Sequence, residues 1–261
     1  MFNLVVLSCV IASAVMCSVG LKKYAWFVSV GYGLAVLGCG VVLLVFALRY
    51  GSSNLPLYLH CLLLALYGAR LSAFLLKREK KNKGIKKLVG SEKGPKVPAL
   101  AVLLTWIMTA FLTAGQVAPA AYRIYNCSTS STMQWIAFVL SGVGFLVETV
   151  SDMQKNKSKA EDSGAPVMTG FYRLVRCPNY FGEMLLWLGV LLSGIGAIRE
   201  IQWILPIVGW LYINGVMLTG VRRVCSRQNK SYGALPEFCA YAEKTPALIP
   251  LLPWYIPCKK K

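Results

Sequence analysis

Acidic residues are scarce in this chain of 261 residues: ten Asp and Glu stand against 28 Lys and Arg, and none precedes Glu79. Histidine is nearly absent, with His60 alone. The nine cysteines show no metal-ligand spacing and no paired framework, so no metal site is expected and nothing argues for disulfides. Several of them, such as Cys9, Cys17 and Cys39, lie in apolar runs, where a thiol behaves as a small apolar residue. Internal repeats and low-complexity tracts are missing as well. So is strand-like alternation, as the unbroken VVLLVFAL at 41–48 illustrates. A transmembrane barrel needs alternating segments of about ten residues and is excluded.

What the chain has in quantity is apolar surface. Its residues are 56% hydrophobic and its mean hydropathy is +0.57, far outside the soluble globular range. Seven stretches, near 2–21, 24–48, 55–76, 97–121, 133–151, 180–198 and 201–221, can cross roughly 30 Å of hydrocarbon at about 1.5 Å per helical residue. Backbone polar groups in a bilayer must be satisfied within the segment, so these stretches are expected to be helices. The expected fold is an all-α, polytopic membrane bundle of about seven transmembrane helices. The first stretch has no basic residues ahead of it, and Lys22 and Lys23 follow it, which predicts a membrane span rather than a cleaved signal peptide.

The net charge of +18 is distributed on one side. With the N-terminus outside, seven spans leave 22–23, 77–96, 152–179 and the tail from 222 inside, holding 2, 9, 5 and 8 Lys and Arg. The other side carries about one each, Arg49, Arg123 and Arg199. This asymmetry follows the positive-inside rule and predicts a cytoplasmic C-terminus. The run KREKKNKGIKKLVGSEKGPK at 77–96 reads as a topology signal that attracts anionic lipid, not as a nucleic-acid site. Sequons at Asn126, Asn156 and Asn229 fall on both sides and decide nothing.

Residues 1–150 read as membrane scaffold, with His60, Arg70 and Glu148 the ionisable groups inside spans. Polar content near the membrane rises from residue 148 onward. Glu148 and Asp152 lie four residues apart and share a helix face. Pro178 suits the first turn of a helix, on which Asn179, Tyr180 and Glu183 follow, with Arg173 and Arg176 just before it. Free N–H groups at a helix start beside arginines make a ready anion site. Carboxylates and an amide slightly deeper suit ribose hydroxyls or an amide, the layout a dinucleotide needs. Taken singly, each residue has a plain structural reading: Glu183 paired with Arg70 or Arg176, Asp152 as an interfacial cap, the arginines as topology charges. Intramembrane ionisable groups are nevertheless functional by default, and their convergence on one helix mouth favours a site.

At these residues the chain resembles a known family. TGFYRLVRCPNYFGEMLLW at 169–187 is similar to the C-terminal signature of the steroid 5α-reductase superfamily, closest to a branch of related membrane proteins reading roughly G-L-W-R-x-S-R-H-P-N-Y-x-G-E. That branch carries an upstream D-x-Q-K, matched by Asp152, Met153, Gln154 and Lys155. Its tail, Y-x-x-x-T-x-x-x-I-P, is matched by Tyr241, Thr245, Ile249 and Pro250, and an earlier R-L-x-x-x-x-x-x-R element by Arg70, Leu71 and Arg78. The resemblance covers roughly 65–254. It implies an N-terminal transmembrane scaffold at 1–64 and a reductase-like membrane domain with a cofactor site at 65–261.

The resemblance implies an NADPH-dependent oxidoreductase that reduces a carbon–carbon double bond in a lipid or sterol-like substrate entering from the bilayer, in the endoplasmic reticulum membrane if the cell is eukaryotic. By motif position Glu148, Asp152, Arg173, Arg176, Asn179, Tyr180 and Glu183 are implied cofactor contacts, with the nicotinamide carrying the chemistry. Two departures stand out. Cys177 occupies the position of the family's His, and the N-terminal acid of the steroid reductases has no counterpart, since no Asp or Glu precedes Glu79. Tyr67, near Arg70, is the expected proton donor, with His60 as the other candidate and simple packing of the Tyr67 ring as the plain reading. Two further readings stay open. An S-adenosylmethionine-dependent methyltransferase of isoprenylcysteine or phospholipid type also carries R-H-P-x-Y, but its paired terminal acids are missing here. A non-catalytic lipid-binding relic is the other.

Overall fold

A computed structural model describes residues 3–50, 54–81 and 97–258. Of the basic run at 77–96, residues 82–96 lie outside the described residues, as do the last three lysines. Among the described residues there is no strand. Eight α-helices follow one another among the described residues: α1 (Leu4–Cys17), α2 (Val30–Arg49), α3 (Leu55–Lys81), α4 (Ala99–Tyr125), α5 (Thr132–Glu161), α6 (Pro178–Leu192), α7 (Ile204–Tyr232) and α8 (Pro236–Lys244). Among the described residues six helical segments are long and apolar enough to cross a membrane: Leu4–Leu21, Tyr24–Arg49, Leu55–Glu79, Ala99–Tyr125, Thr132–Glu161 and Glu200–Tyr232. The chain is an integral, multi-pass membrane protein. Its exposed apolar side chains, among them Ile11, Val45, Leu66, Leu104, Leu146 and Leu211, are what a lipid-facing surface requires. The seventh expected span is the 15-residue α6, about 22 Å long at the helical rise.

The chain divides into two compact units: residues 1–138 with 190–210, and residues 139–189 with 211–261. In the first, Asn3 caps α1 by accepting a hydrogen bond from the Val6 N–H at 2.9 Å, supplying a partner for one of the free donors of a helix start. Helices α2 and α3 pack backbone to backbone through Gly33, Gly40, Ala65, Gly68 and Ser72. A Cβ at Gly68 would stand 2.3 Å from the Leu37 nitrogen, so only glycine permits the approach. This is the small-residue packing by which membrane helices associate.

Arg123 corrects one expectation. It does not serve as a loop charge: it lies in the last turn of α4 and is 2% exposed. Its guanidinium donates to the Ser193 oxygen at 3.0 and 2.8 Å, to Ile195 at 2.9 Å and to Thr129 at 2.9 Å. The 193–195 turn follows α6 directly, so Arg123 supplies donors to carbonyls of a turn that lies outside any helical ladder.

In the second unit the loop after α5 is tied down at several points. Lys159 Nζ donates to the Ser163 oxygen at 3.0 Å, the Ala165 oxygen at 2.6 Å and the Tyr232 hydroxyl at 2.6 Å. Gly170 takes a positive φ of 64°, and its neighbour Phe171 donates its N–H to Gln154 Oε1 at 3.0 Å. A core of Cys177, Val221, Cys225, Ala247 and Leu248 then closes against Phe181, Met184 and Trp254. The tail is held by a disulfide between Cys239 and Cys258, a pairing that sequence spacing does not suggest because the fold-back of the tail creates it.

Candidate functional site

All seven expected cofactor residues belong to the second unit, and Glu148 and Glu183 are drawn close to each other in it. The helix crossing explains why. Helices α5 and α6 meet at Gly144 and Gly182: a Cβ at Gly144 would stand 2.4 Å from the Leu186 nitrogen, and one at Gly182 would stand 2.5 Å from the Glu148 nitrogen. The Ser141 hydroxyl donates to the Leu186 oxygen at 3.0 Å across the same contact. With no side chain between the helices, the backbone of Glu148 lies against the residue next to Glu183. Glu148, Asp152 and Glu183 are 3, 6 and 8% exposed. Three buried carboxyl positions on two touching helices are costly without partners, and each of the three engages a partner within the fold.

At the mouth of α6, Pro178 occupies the first helical position, and Asn179 and Tyr180 are half-buried behind it. Tyr180 is fixed from α7, since a Cβ at Gly220 would stand 2.7 Å from its ring. Arg173, at the end of the short 3₁₀ turn Gly170–Arg173, is exposed to solvent.

Arg176 has a different situation from the one its motif position implies. It is 1% exposed, and its guanidinium donates to the Ile256 oxygen at 2.6 Å, to Gln228 Oε1 at 2.9 Å and to Asn229 Oδ1 at 2.9 Å. It also lies over the Phe238 ring, 5.4 Å from its centroid, while its backbone N–H donates to the Pro246 oxygen at 2.9 Å. The side chain is thus the bolt that joins the α6 approach to α7, α8 and the tail.

Two tyrosines brace the same approach. The Tyr172 hydroxyl donates to the Ser151 oxygen at 3.3 Å, and the Tyr241 hydroxyl donates to the Tyr172 oxygen at 2.6 Å. Burial pushes both phenols well above the ordinary tyrosine value; the Asp152 carboxylate adds to the effect at Tyr172, and the Arg176 cation opposes it at Tyr241.

Tyr67 belongs to the first unit, where it lies on α3 and is wholly buried. His60, on the same helix, is 2% exposed and meets the Phe138 ring edge to face at 6.0 Å. Among the described residues no group of three His, Cys, Asp or Glu side chains is arranged to hold a metal ion. Cys177, in the family's His position, is a core residue packed with Cys225.

Sequence reasoning did not single out a cavity of about 1080 Å³ in the second unit, lined by Ser226, Asn229, Lys230, Glu243 and the Cys239–Cys258 pair among others. It exists because the tail folds back beside α7 and α8, a tertiary event without a local signal. Asn229 and Ile256, both partners of Arg176, form part of its wall.

No curated protein and no solved structure matches the chain. The model of a family described as Protein of unknown function (DUF1295) matches residues 17–245, most of the chain, and the protein belongs to that family.

Proposed function

We propose that the protein is a membrane-embedded, NADPH-dependent reductase of a carbon–carbon double bond in a lipid or sterol-like substrate. The observation that carries this reading is the glycine-mediated contact of α5 and α6, which brings Glu148 and Glu183 to one crossing behind the Asn179–Tyr180 mouth. The family is associated with steroid 5-alpha-reductase-like proteins.

In this reading the carboxylates of Glu148, Asp152 and Glu183 and the amide of Asn179 hold the hydroxyl and amide groups of the cofactor, and Tyr180 lines the α6 mouth. The exposed guanidinium of Arg173 meets a phosphate. Arg176, committed to the tail, positions the α6 approach instead of touching the cofactor. NADPH, when bound, supplies a hydride to the double bond. The Tyr67 phenol gives the proton to the neighbouring carbon, so that one hydride and one proton saturate the bond. The seven-span count, with α6 as the seventh, the outside N-terminus, the cytoplasmic C-terminus and residence in the endoplasmic reticulum of a eukaryotic cell belong to the same proposal.

The test is a thermal-shift series on the purified, detergent-solubilised protein with NADPH, NADH and S-adenosylmethionine. A ligand at a hundredfold excess over its Kd adds about 2.7 kcal/mol to apparent stability. A shift with NADPH that disappears in Glu183→Ala and Asn179→Ala, while both variants express and melt normally, supports the site. A shift with S-adenosylmethionine alone would replace the reductase reading with a methyltransferase, and silence from all three would favour a lipid-binding relic.

A further inference from the structure

The first unit contains a half-open cavity of about 240 Å³ where α3 ends and the second membrane segment begins. Its wall includes Lys23, Ala25, Trp26, Leu75, Arg78 and Glu79. The apolar segments Tyr24–Arg49 and Leu55–Glu79 begin and end at this point, so the cavity lies at the level where hydrocarbon gives way to headgroups.

Charge in the cavity is arranged unevenly. Glu79 is committed on both oxygens: it pairs with Lys23 Nζ and accepts from the Trp26 indole N–H at 2.8 Å. Arg78 makes no ion pair among the described residues; its guanidinium is exposed and rests 5.9 Å from the centre of the Phe74 ring. The three charges sum to one positive charge, carried at Arg78. A guanidinium offers forked donors that match a phosphate, and a tryptophan whose indole N–H is engaged at the polar edge is the usual headgroup-level anchor. The remaining wall, Ala25, Val30 and Leu75 with the single hydroxyl residue Ser29, is mainly apolar. At about 30 Å³ for each water-sized group, the cavity has room for about eight such groups, which suits a phosphodiester with its glycerol carbons.

We infer that this cavity binds the phosphate of an anionic glycerophospholipid, with Arg78 as the phosphate ligand, the Lys23–Glu79–Trp26 cluster as its rigid wall and Leu75 facing the first acyl carbons. The shared chemistry is a phosphate ester. The lipid is the source favoured by the position between two membrane segments. The inference does not rest on the reductase reading.

Native mass spectrometry of the full chain in detergent, titrated with dioleoyl phosphatidylglycerol, tests it. The wild type is expected to retain one lipid preferentially. Arg78→Gln, which removes a charge-assisted contact, is expected to weaken retention about tenfold, and Arg78→Lys to restore part of it. Ala25→Phe fills the cavity without touching a charge and is expected to weaken retention equally, which separates a built site from general attraction. Lys86→Gln, in the basic run beyond α3, is expected to change nothing. All variants are compared at wild-type melting temperature, and if Arg78→Gln melts early, Ala25→Phe decides. Equal retention in wild type and Ala25→Phe, or a loss confined to Lys86→Gln, would overturn the site. Full displacement of the lipid by millimolar glycerol 3-phosphate would overturn the lipid as its source.

Discussion

Gly182 on α6 faces the backbone of Glu148 on α5 so closely that a methyl group there would stand 2.5 Å from the Glu148 nitrogen. The contact leaves no room for adjustment, because its far side is backbone rather than a flexible side chain. Gly182→Ala must therefore separate the helices, and overpacking of this kind costs about 1–3 kcal/mol. The expected outcome is a lower melting temperature together with loss of the NADPH-induced shift. Gly142→Ala, on the same α5 but with nothing within 4 Å of the added carbon, should melt at or above the wild-type temperature, since alanine favours a helix over glycine by about 0.5–1 kcal/mol. Two identical substitutions on one pair of helices thus have opposite signs. Matching thermal melts for the two variants would show that the α5–α6 contact is looser than described.

Arg176 and Arg173 stand three residues apart and should respond differently to loss of charge. Arg176→Met leaves the Ile256 carbonyl and the Asn229 and Gln228 side chains without their donor. At about 1–3 kcal/mol per buried group left without a partner, a loss of about 3 kcal/mol is expected. The tail should also become accessible, so that chymotrypsin cleaves at Trp254 and Tyr255 faster than in the wild type. Arg173→Gln should leave both the melt and the cleavage unchanged and weaken NADPH about tenfold, the effect of one lost charge-assisted contact. The reverse pattern would exchange the roles of the two residues.

This contrast also shows what was legible in the sequence and what was not. Hydropathy located the membrane helices because each apolar run is its own signal. It ended the apolar span of α5 at 151 and set no end to the helix, which continues to Glu161, since polar residues can extend a helix once it leaves the lipid. The motif spacing named Arg176 and Arg173 alike, because spacing records position and not partners. Arg176 became a bolt only through Gln228, Asn229 and Ile256, more than fifty residues away. Arg123 was counted as a loop charge for the same reason: its acceptors at Ser193 and Ile195 are about seventy residues distant. The disulfide and the large cavity beside it arise from the tail's return to α8, which leaves no local trace.

Tyr67 is the residue on which the proposed reduction most depends chemically. Removing its hydroxyl takes away the proton donor but none of the cofactor contacts, so Tyr67→Phe should lower kcat by at least about a hundredfold and leave the NADPH shift at its wild-type size. An interaction made only in the transition state lowers kcat and kcat/KM together. A change confined to KM would make Tyr67 a substrate-packing residue. Because the ring is wholly buried, the melting temperature of the variant needs to be measured alongside, and a drop of more than a few degrees would point to packing instead.

The paired phenols of Tyr172 and Tyr241 give the second unit a predictable response to alkali. Both lie outside the membrane segments, and burial raises both above the ordinary value of 10. Above about pH 10 an unfolded chain releases these protons while the native fold retains them, so the native state binds more protons than the unfolded one. The linkage slope is then negative: the contribution is intact below pH 10 and is lost as pH climbs from there toward the raised folded values. Melting temperature followed from pH 8 to pH 11.5 should fall steeply in the wild type above pH 10. Tyr241→Phe should start lower at pH 8, by about 1 kcal/mol for the lost hydrogen bond to the Tyr172 oxygen, and then decline less steeply because one titrating group is gone. The two curves should therefore converge as pH rises. Parallel curves would mean that the Tyr241 phenol titrates alike in the folded and unfolded chain, and that its hydroxyl is not held against Tyr172 in solution.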